Sequence, residues 1–453
     1  MPMTLTAAAR DLAAGRTSSR ALVEAALARI AAPDGEGALA FLEVQAEPAR
    51  AAAEAQDLLR RAGRAPSPWA GIPISVKDLY DQAGHVTRAG SVLHAGDAPA
   101  ARSALSVERL ERAGFVVLGR TNMVEFAFSG LGVNPHHGTP ASPWDRASRR
   151  LPGGSSSGAA VAVADGMGLI GLGSDTGGSC RVPAALCGIV GWKPTARRVP
   201  LDGTYPLSHS LDSLGPLGNS VGCCAIADAI MAGEERPAPP AAPPLAGLRL
   251  GVPRGTYLTE GLDAVVAARF AATLAALSHA GARVSEFELP ELADIPRANA
   301  AGGFAAAEAW AHHRGLIAAH RDRYDPRILA RILRGEAIGA ADYVTLQRER
   351  ARIIAAIAPR TAPFDAVLAP TCALIPPRLA EVEPEAEYNR INLLLLRNTS
   401  VANFLDRCAI SIPCHAPDEA PVGLMLIGEQ MGDARLLAIA AAVEALLTRG
   451  AAR

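Results

Sequence analysis

The sequence predicts an α/β fold, because short apolar runs of strand length alternate with helical apolar periodicity along the chain and no internal repeat breaks the rhythm. Hydrophobic residues make up 49% and charged residues 20% of the 453 positions, a balance that lets a globular chain bury a large core. The 43 glycines and 34 prolines supply the turns that such alternation requires.

The elements follow in order. Thr17-Ser18-Ser19 precedes a periodic run from Ala21 to Ile30, which reads as an N-capped helix. Pro48 to Arg61 reads as a second helix with Pro in its first turn. The Pro/Gly-rich stretch Ala65 to Pro73 ends it, and Ile72 to Val76 forms a short apolar run leading into Lys77-Asp78. Ala104 to Ala113 reads as a helix, Phe115 to Leu118 as a strand, and Thr121-Asn122 as the opening of another helix. From Gly153 to Gly191 the chain is dense in Gly and Ser. Ala159 to Ala164 and Leu169 to Gly173 are strand- or helix-like, and the rest reads as functional loop. Pro237 to Pro244 is the clearest linker. Beyond it, Leu248 to Val252 reads as a strand and Ala264 to Ala280 as a helix. Arg297 to Pro359 is largely helical, Phe364 to Leu368 and Val422 to Ile427 read as strands, and Asp433 caps a final helix to Leu447.

Composition excludes several function classes. The net charge of −1 offers no field for nucleic acid or an anionic membrane, and no Lys/Arg run forms a basic tail. The seven cysteines include no C-x-x-C pair and no zinc spacing, so they read as reduced, buried thiols. His136-His137 reads as a loop pair, since adjacent side chains converge poorly on a metal. No signal-peptide pattern or membrane-length apolar run is present, and a cytoplasmic location is inferred. Basic residues are almost all Arg, the only lysines being Lys77 and Lys193. A buried Lys can lose its proton and an Arg cannot, so a reaction needing a neutral amine has two candidates.

The Gly/Ser-rich segments offer three candidate chemistries. Gly154-Ser155-Ser156-Ser157-Gly158 contains G-x-S-x-G centred on Ser156, but a nucleophile elbow needs a preceding strand, and Ser148 to Pro152 is charged and ends in Pro. No phosphate loop or complete dinucleotide fingerprint occurs. Ser174-Asp175-Thr176-Gly177-Gly178-Ser179-Cys180-Arg181 places two glycines before a serine, which frees successive N–H groups to converge on one point.

Together, Ser75-Val76-Lys77-Asp78, Pro152 to Gly158 and Gly173 to Pro183 resemble the amidase signature family. Gly188 to Thr195, Ser210 to Leu217 and Ala369-Pro370-Thr371 continue the likeness. The resemblance implies an α/β amidase-signature fold with a central mixed β-sheet flanked by helices on both faces. It implies one domain over residues 1–453, with N-terminal helices to 66, a signature core over 67–235, the Pro-rich linker over 236–246 and a C-terminal part over 247–453. Carried over by position, Ser179 matches the nucleophile, Ser155 the serine preceded by a cis peptide, and Lys77 the base. The N–H groups of Thr176, Gly177 and Gly178 match the oxyanion hole, and Ser156, Asp175 and Arg181 the supporting hydrogen-bond shell. Family position also places the segments Met123 to Ser129, Thr204 to Leu207 and Asn398 to Phe404 around the substrate, with Met123 and Tyr205 as contacts. Lys193 reads as structural, and Cys180 as a small buried residue where an aliphatic one is common.

The resemblance implies an amidase that cleaves a small carboxamide or ureido compound through an acyl-Ser179 intermediate, with no metal or organic cofactor. The partner would be a small-molecule amide, with no nucleic acid or membrane, and a homodimer is common in the family. Two alternatives stand beside it: the glutamine-hydrolysing component of a tRNA-dependent amidotransferase, and a non-catalytic binding protein on the same fold. The stretch Arg198 to Pro206 differs from what the amidotransferase reading expects.

Overall fold

The computed structural model describes residues 2–451. Among them, eleven strands form one mixed sheet. In chain order these are β1 (Phe41–Val44), β2 (Pro73–Lys77), β3 (Val116–Thr121), β4 (Ile170–Ser174), β5 (Val190–Lys193) and β6 (Leu214–Gly218). After the Pro-rich segment come β7 (Arg249–Arg254), β8 (Arg283–Glu288), β9 (Ala366–Pro370), β10 (Ala409–Pro413) and β11 (Gly423–Ile427). The spatial order is β1-β3-β2-β4-β6-β5-β10-β11-β9-β7-β8. Strands from both sides of the Pro-rich segment therefore share the sheet, and β5 meets β10 antiparallel at Lys193↔Ala409.

The side-chain alternation of strands explains why helices cover both faces. On β3, Val117 packs with Val107 and Leu110 of the helix Leu105–Arg112. Its neighbours Val116 and Leu118 face the other way, onto Val23 and Leu27 of the helix Ser19–Ile30 and onto Ala159–Val163. The same division recurs beyond the linker. Leu424 and Leu426 of β11 join one core, with Leu436 and Val443 of the last helix, while Met425 and Ile427 join another. No helix among the described residues is long and apolar enough to cross a membrane.

Some local expectations are corrected. No α-helix opens at Thr121-Asn122. The chain there forms only a short 3-10 turn, Glu125–Ala127, with Phe126 and Ala127 at positive φ. The Asn134 amide holds the Met123 carbonyl at 2.7 Å, taking an acceptor that a helix would use. The Gly/Ser-rich stretch is less loop than expected, since Arg181–Cys187 is helical and β5 begins at Val190. β1, β6, β8 and β10 lie outside the strands expected from the sequence. Leu214–Gly218 holds two glycines and a proline in five residues, and Arg283–Glu288 is charged, so neither shows strand patterning. Asp433 starts the last helix, but its carboxylate accepts from the N–H and hydroxyl of Thr195, at 2.8 and 2.7 Å.

Candidate active site

Parallel pairing of β2 with β4 sets Ile74 beside Ile170 and Val76 beside Leu172. Their carboxyl ends, Lys77 and Ser174, therefore emerge side by side, at the edge where α/β sheets place their ligands. Between them lies the start of the helix Ser157–Ala164, preceded by Ser155 and Ser156. The Gly154–Ser155 peptide is cis.

Lys77 is 0% exposed, and its Nζ lies 2.8 Å from Ser155 Oγ, 2.9 Å from Ser156 Oγ and 2.9 Å from Ser174 Oγ. Among the described residues no carboxylate touches it. Burial without a counter-ion pulls its pKa down to about 7. An ammonium would donate to all three hydroxyls, whereas the neutral amine donates to two and accepts from the third. Lys193, by contrast, donates to the carbonyls of Pro194 and Arg407 at 2.7 and 2.8 Å. It is buried in β5 and not at a solvated turn, and burial lowers its pKa to about 8.

Ser179 lies in the turn between β4 and the helix Arg181–Cys187, and its carbonyl accepts from Ser156 N–H at 3.4 Å. Asp175 anchors this turn. Its carboxylate accepts from Cys180 N–H at 3.1 Å, from Arg181 at 3.0 and 2.8 Å, and from Asn403 at 2.9 Å. Burial alone would raise the Asp175 pKa, but the Arg181 guanidinium overrides it and holds the group at about 2. Arg181 also donates to the Thr399 carbonyl and to Asn403 Oδ1, so this buried charge pair is fully hydrogen-bonded. Among the described residues, the N–H groups of Thr176, Gly177 and Gly178 have no protein acceptor. Gly178 sits at φ 140°, and a Cβ there would meet Thr399 Oγ1 at 2.1 Å, so no other residue fits. Cys180 is buried with its thiol on the Gly215 carbonyl, and burial pushes its pKa far up, which keeps it protonated.

The two expected substrate contacts lie in unlike surroundings. Met123 is fully buried in the core. Tyr205 is half-buried, stacked on Phe126 at 5.4 Å and edge-on to His312 at 5.0 Å. His136 Nε2 stands 2.9 Å from the buried Glu125.

The family model described as Amidase matches residues 21–437. The chain belongs to the amidase signature family. A 2-amino-5-chloromuconic acid deaminase from Comamonas testosteroni is 39% identical over 404 residues, spanning 89% of this chain and 87% of that protein. The A component of the glutamyl-tRNA(Gln) amidotransferase of Chloroflexus aggregans is 34% identical over 469 residues, spanning 96% and 95%. A crystal structure of an amidase superposes with a TM-score of 0.88 at 34% identity, covering 98% of this chain and 99% of that one. As a member of the family, the chain is a hydrolase acting on amide carbon–nitrogen bonds.

One part of this amidase escaped the sequence reading. Gly130, whose carbonyl accepts from Gly154 N–H at 2.8 Å, follows Phe128 and Ser129. The Arg331 guanidinium stacks 4.8 Å over the Phe128 ring. Arg331 has no carboxylate partner among the described residues, its Nε is closed off from solvent and unpaired, and burial lowers its pKa. Beside it, Asn392 Oδ1 accepts from Ser129 Oγ at 3.0 Å and from Gly130 N–H at 2.8 Å, leaving Asn392 Nδ2 buried and unpaired. The Tyr388 hydroxyl, one helical turn before Asn392, is also buried and unpaired. In the sequence Arg331 looks like its neighbours Arg327 and Arg334, and no local signal separates it from them.

Proposed function

We propose that the chain hydrolyses a small carboxamide or ureido compound that also carries a carboxylate, releasing ammonia or an amine through an acyl-Ser179 intermediate. The observation that carries the chemistry is Lys77, buried among three hydroxyls without a counter-ion, next to a turn with three unpaired backbone N–H groups. A serine hydroxyl needs a base to attack an amide. In this reading Ser179 passes its proton to Ser155 as Ser155 passes its own to neutral Lys77. The new Oγ–carbon bond leaves the carbonyl oxygen negative, and the N–H groups of Thr176, Gly177 and Gly178 hold it. Reversal of the relay protonates the departing nitrogen as the carbon–nitrogen bond breaks. Water then enters by the same route and frees the acid.

The carboxylate requirement rests on three buried atoms without a hydrogen-bond partner, Arg331 Nε, Asn392 Nδ2 and the Tyr388 hydroxyl, beside the segment that carries Gly130. A half-buried cation without a carboxylate partner is stabilised by an anionic ligand, and Arg suits a carboxylate in particular. The deaminase named above acts on an acid, which supports the same class.

Succinamate and succinamide form a suitable test pair, differing by one carboxylate. Ser179→Ala is expected to abolish ammonia release from every amide that the wild type cleaves. Arg331→Gln is expected to raise KM for the acid at least about tenfold and to leave the diamide unchanged. Wild-type turnover in Ser179→Ala overturns the mechanism, and an equal effect of Arg331→Gln on both compounds overturns only the carboxylate. The amidotransferase reading keeps support from the relative that spans 95% of its own length in the match. Turnover of simple amides by the purified single chain separates the two, because that reading requires partner chains.

A further inference from the structure

The turn that carries the three unpaired N–H groups is gripped from behind by side chains with no part in the chemistry proposed above. Only the Gly154–Ser155 peptide is cis among the described residues, so the peptides of this turn are trans. In a trans peptide the carbonyl and the following N–H point in opposite directions. Whatever holds one carbonyl therefore aims the next N–H.

The Gly177 carbonyl accepts from the Thr399 hydroxyl at 2.6 Å, which turns the Gly178 N–H away from Thr399. The other acceptor near that hydroxyl, the Leu396 carbonyl, is farther off at 3.3 Å. Asp175 offers the second case. Its carbonyl accepts from Ser213 Oγ at 2.9 Å, Ser213 N–H at 3.2 Å and Asn403 Nδ2 at 3.0 Å, and so turns the Thr176 N–H the opposite way. The Thr176 side chain is tied as well. Its hydroxyl donates to Asp212 Oδ1 at 2.5 Å, while Asp212 Oδ2 accepts from the N–H groups of Leu207 and Ser208, both at 3.0 Å. The far side of that loop is held by Glu308, which accepts from Ser208 Oγ, Ser210 N–H and Ser210 Oγ at 2.5, 3.0 and 2.5 Å. Thr399 is 0% exposed and Asp212 is 8% exposed.

We infer that Thr399 and Asp212 are positioning residues: Thr399, on the Gly177 carbonyl, aims the Gly178 N–H at the transition-state oxygen, and Asp212, on the Thr176 hydroxyl, fixes the residue whose N–H the Asp175 carbonyl turns there. The inference rests on the reading of those N–H groups as oxyanion donors. Such donors act because they are oriented before the reaction, and a free turn would spend part of their effect on reorganisation. Glycine freedom at 177 and 178 permits the geometry, and Thr399 selects it from the many that two glycines allow.

Thr399→Val removes the donor at nearly constant volume, and Thr399→Ser retains it. Two rates are followed: hydrolysis of the best amide substrate, and covalent labelling of Ser179 by a fluorophosphonate, whose phosphoryl oxygen draws on the same donors. Thr399→Val and Asp212→Asn are each expected to lower both rates about ten- to hundredfold, with KM changed less than about threefold. Thr399→Ser is expected to recover most of the loss. A merely structural role would instead lower the melting temperature and move both Thr399 variants together. Labelling of Thr399→Val within about twofold of wild type overturns the inference. So does a loss in Thr399→Val that Thr399→Ser fails to recover. Should Thr399→Val not fold, Asp212→Asn decides by the same criteria, and a wild-type rate there overturns the inference. Full activity in Ser179→Ala would overturn the underlying mechanism instead, so the two failures are distinct.

Discussion

Lys77 shows how much of a residue's chemistry lies outside its own side chain. In water it is a cation. At the end of β2, enclosed by Ser155, Ser156 and Ser174, it loses solvation and gains no opposite charge. Its pKa falls to about 7, so the neutral form that can accept a proton predominates above that pH. The sign of the activity profile follows. kcat/KM is expected to rise with pH and level off above about 7, and to fall about tenfold per unit well below it. A pH–rate series on any cleaved amide checks this, and a profile that declines from pH 6 to 8 contradicts it. The motif around Lys77 was legible in the sequence, and so was the contrast between a deprotonatable Lys and an Arg. The pKa was not legible, because it depends on hydroxyls 78 to 97 positions away. Arg331 makes the same point in reverse, since its lack of partners is a property of what surrounds it.

At the scale of elements, the helix Arg181–Cys187 links the Ser179 turn to β5. It ends on Gly188, at φ 69° in the left-handed region, and a Cβ there would meet His415 at 3.2 Å. Gly188→Ala is expected to destabilise the protein by about 1 kcal/mol, read from denaturant unfolding, because only glycine takes this cap conformation without strain. Activity per folded molecule should stay within about twofold, as nothing at the Ser179 end changes. The missing helix after Thr121 belongs to this scale too. Its sequence has good helix formers, but Phe126 and Ala127 lie at positive φ and Glu125 is drawn into bonds with Ser91 and with the N–H of Asp325. Tertiary partners outweigh a helix propensity worth only tenths of a kcal/mol per residue.

At the scale of the molecule, the sheet runs across the Pro-rich segment, and the site does too. Lys77, Ser155 and Ser179 precede the segment, whereas Thr399 and Asn403, which grip the Ser179 turn, follow it. Pairing of β5 with β10 is the seam, extending from Lys193↔Ala409 to Gly191↔Ser411. Chain continuity through the largely exposed linker adds little to a seam buried on both faces. Fragments 1–240 and 241–453, expressed together, are therefore expected to co-elute on size exclusion and to hydrolyse amide, while neither is active alone. Activity in the first fragment by itself would contradict this.

By itself the sequence determined the α/β alternation, the family motifs, and the few side chains among which the chemistry could be sought. These are local signals, carried by apolar period, glycine pairs and residue type, and they survive in a linear reading. Tertiary structure alone decided that Lys77 is desolvated while Lys193 is held by carbonyls, that Asp175 is paired by Arg181, and that Arg331 stands unpaired beside Asn392 and Tyr388. It also decided which carbonyls of the Ser179 turn are held, in part by Thr399 and Asn403 more than 200 positions away. The reason is physical. Burial, pairing and the aim of a peptide are set by whatever the fold brings to the other side, and residues distant in the chain supply it.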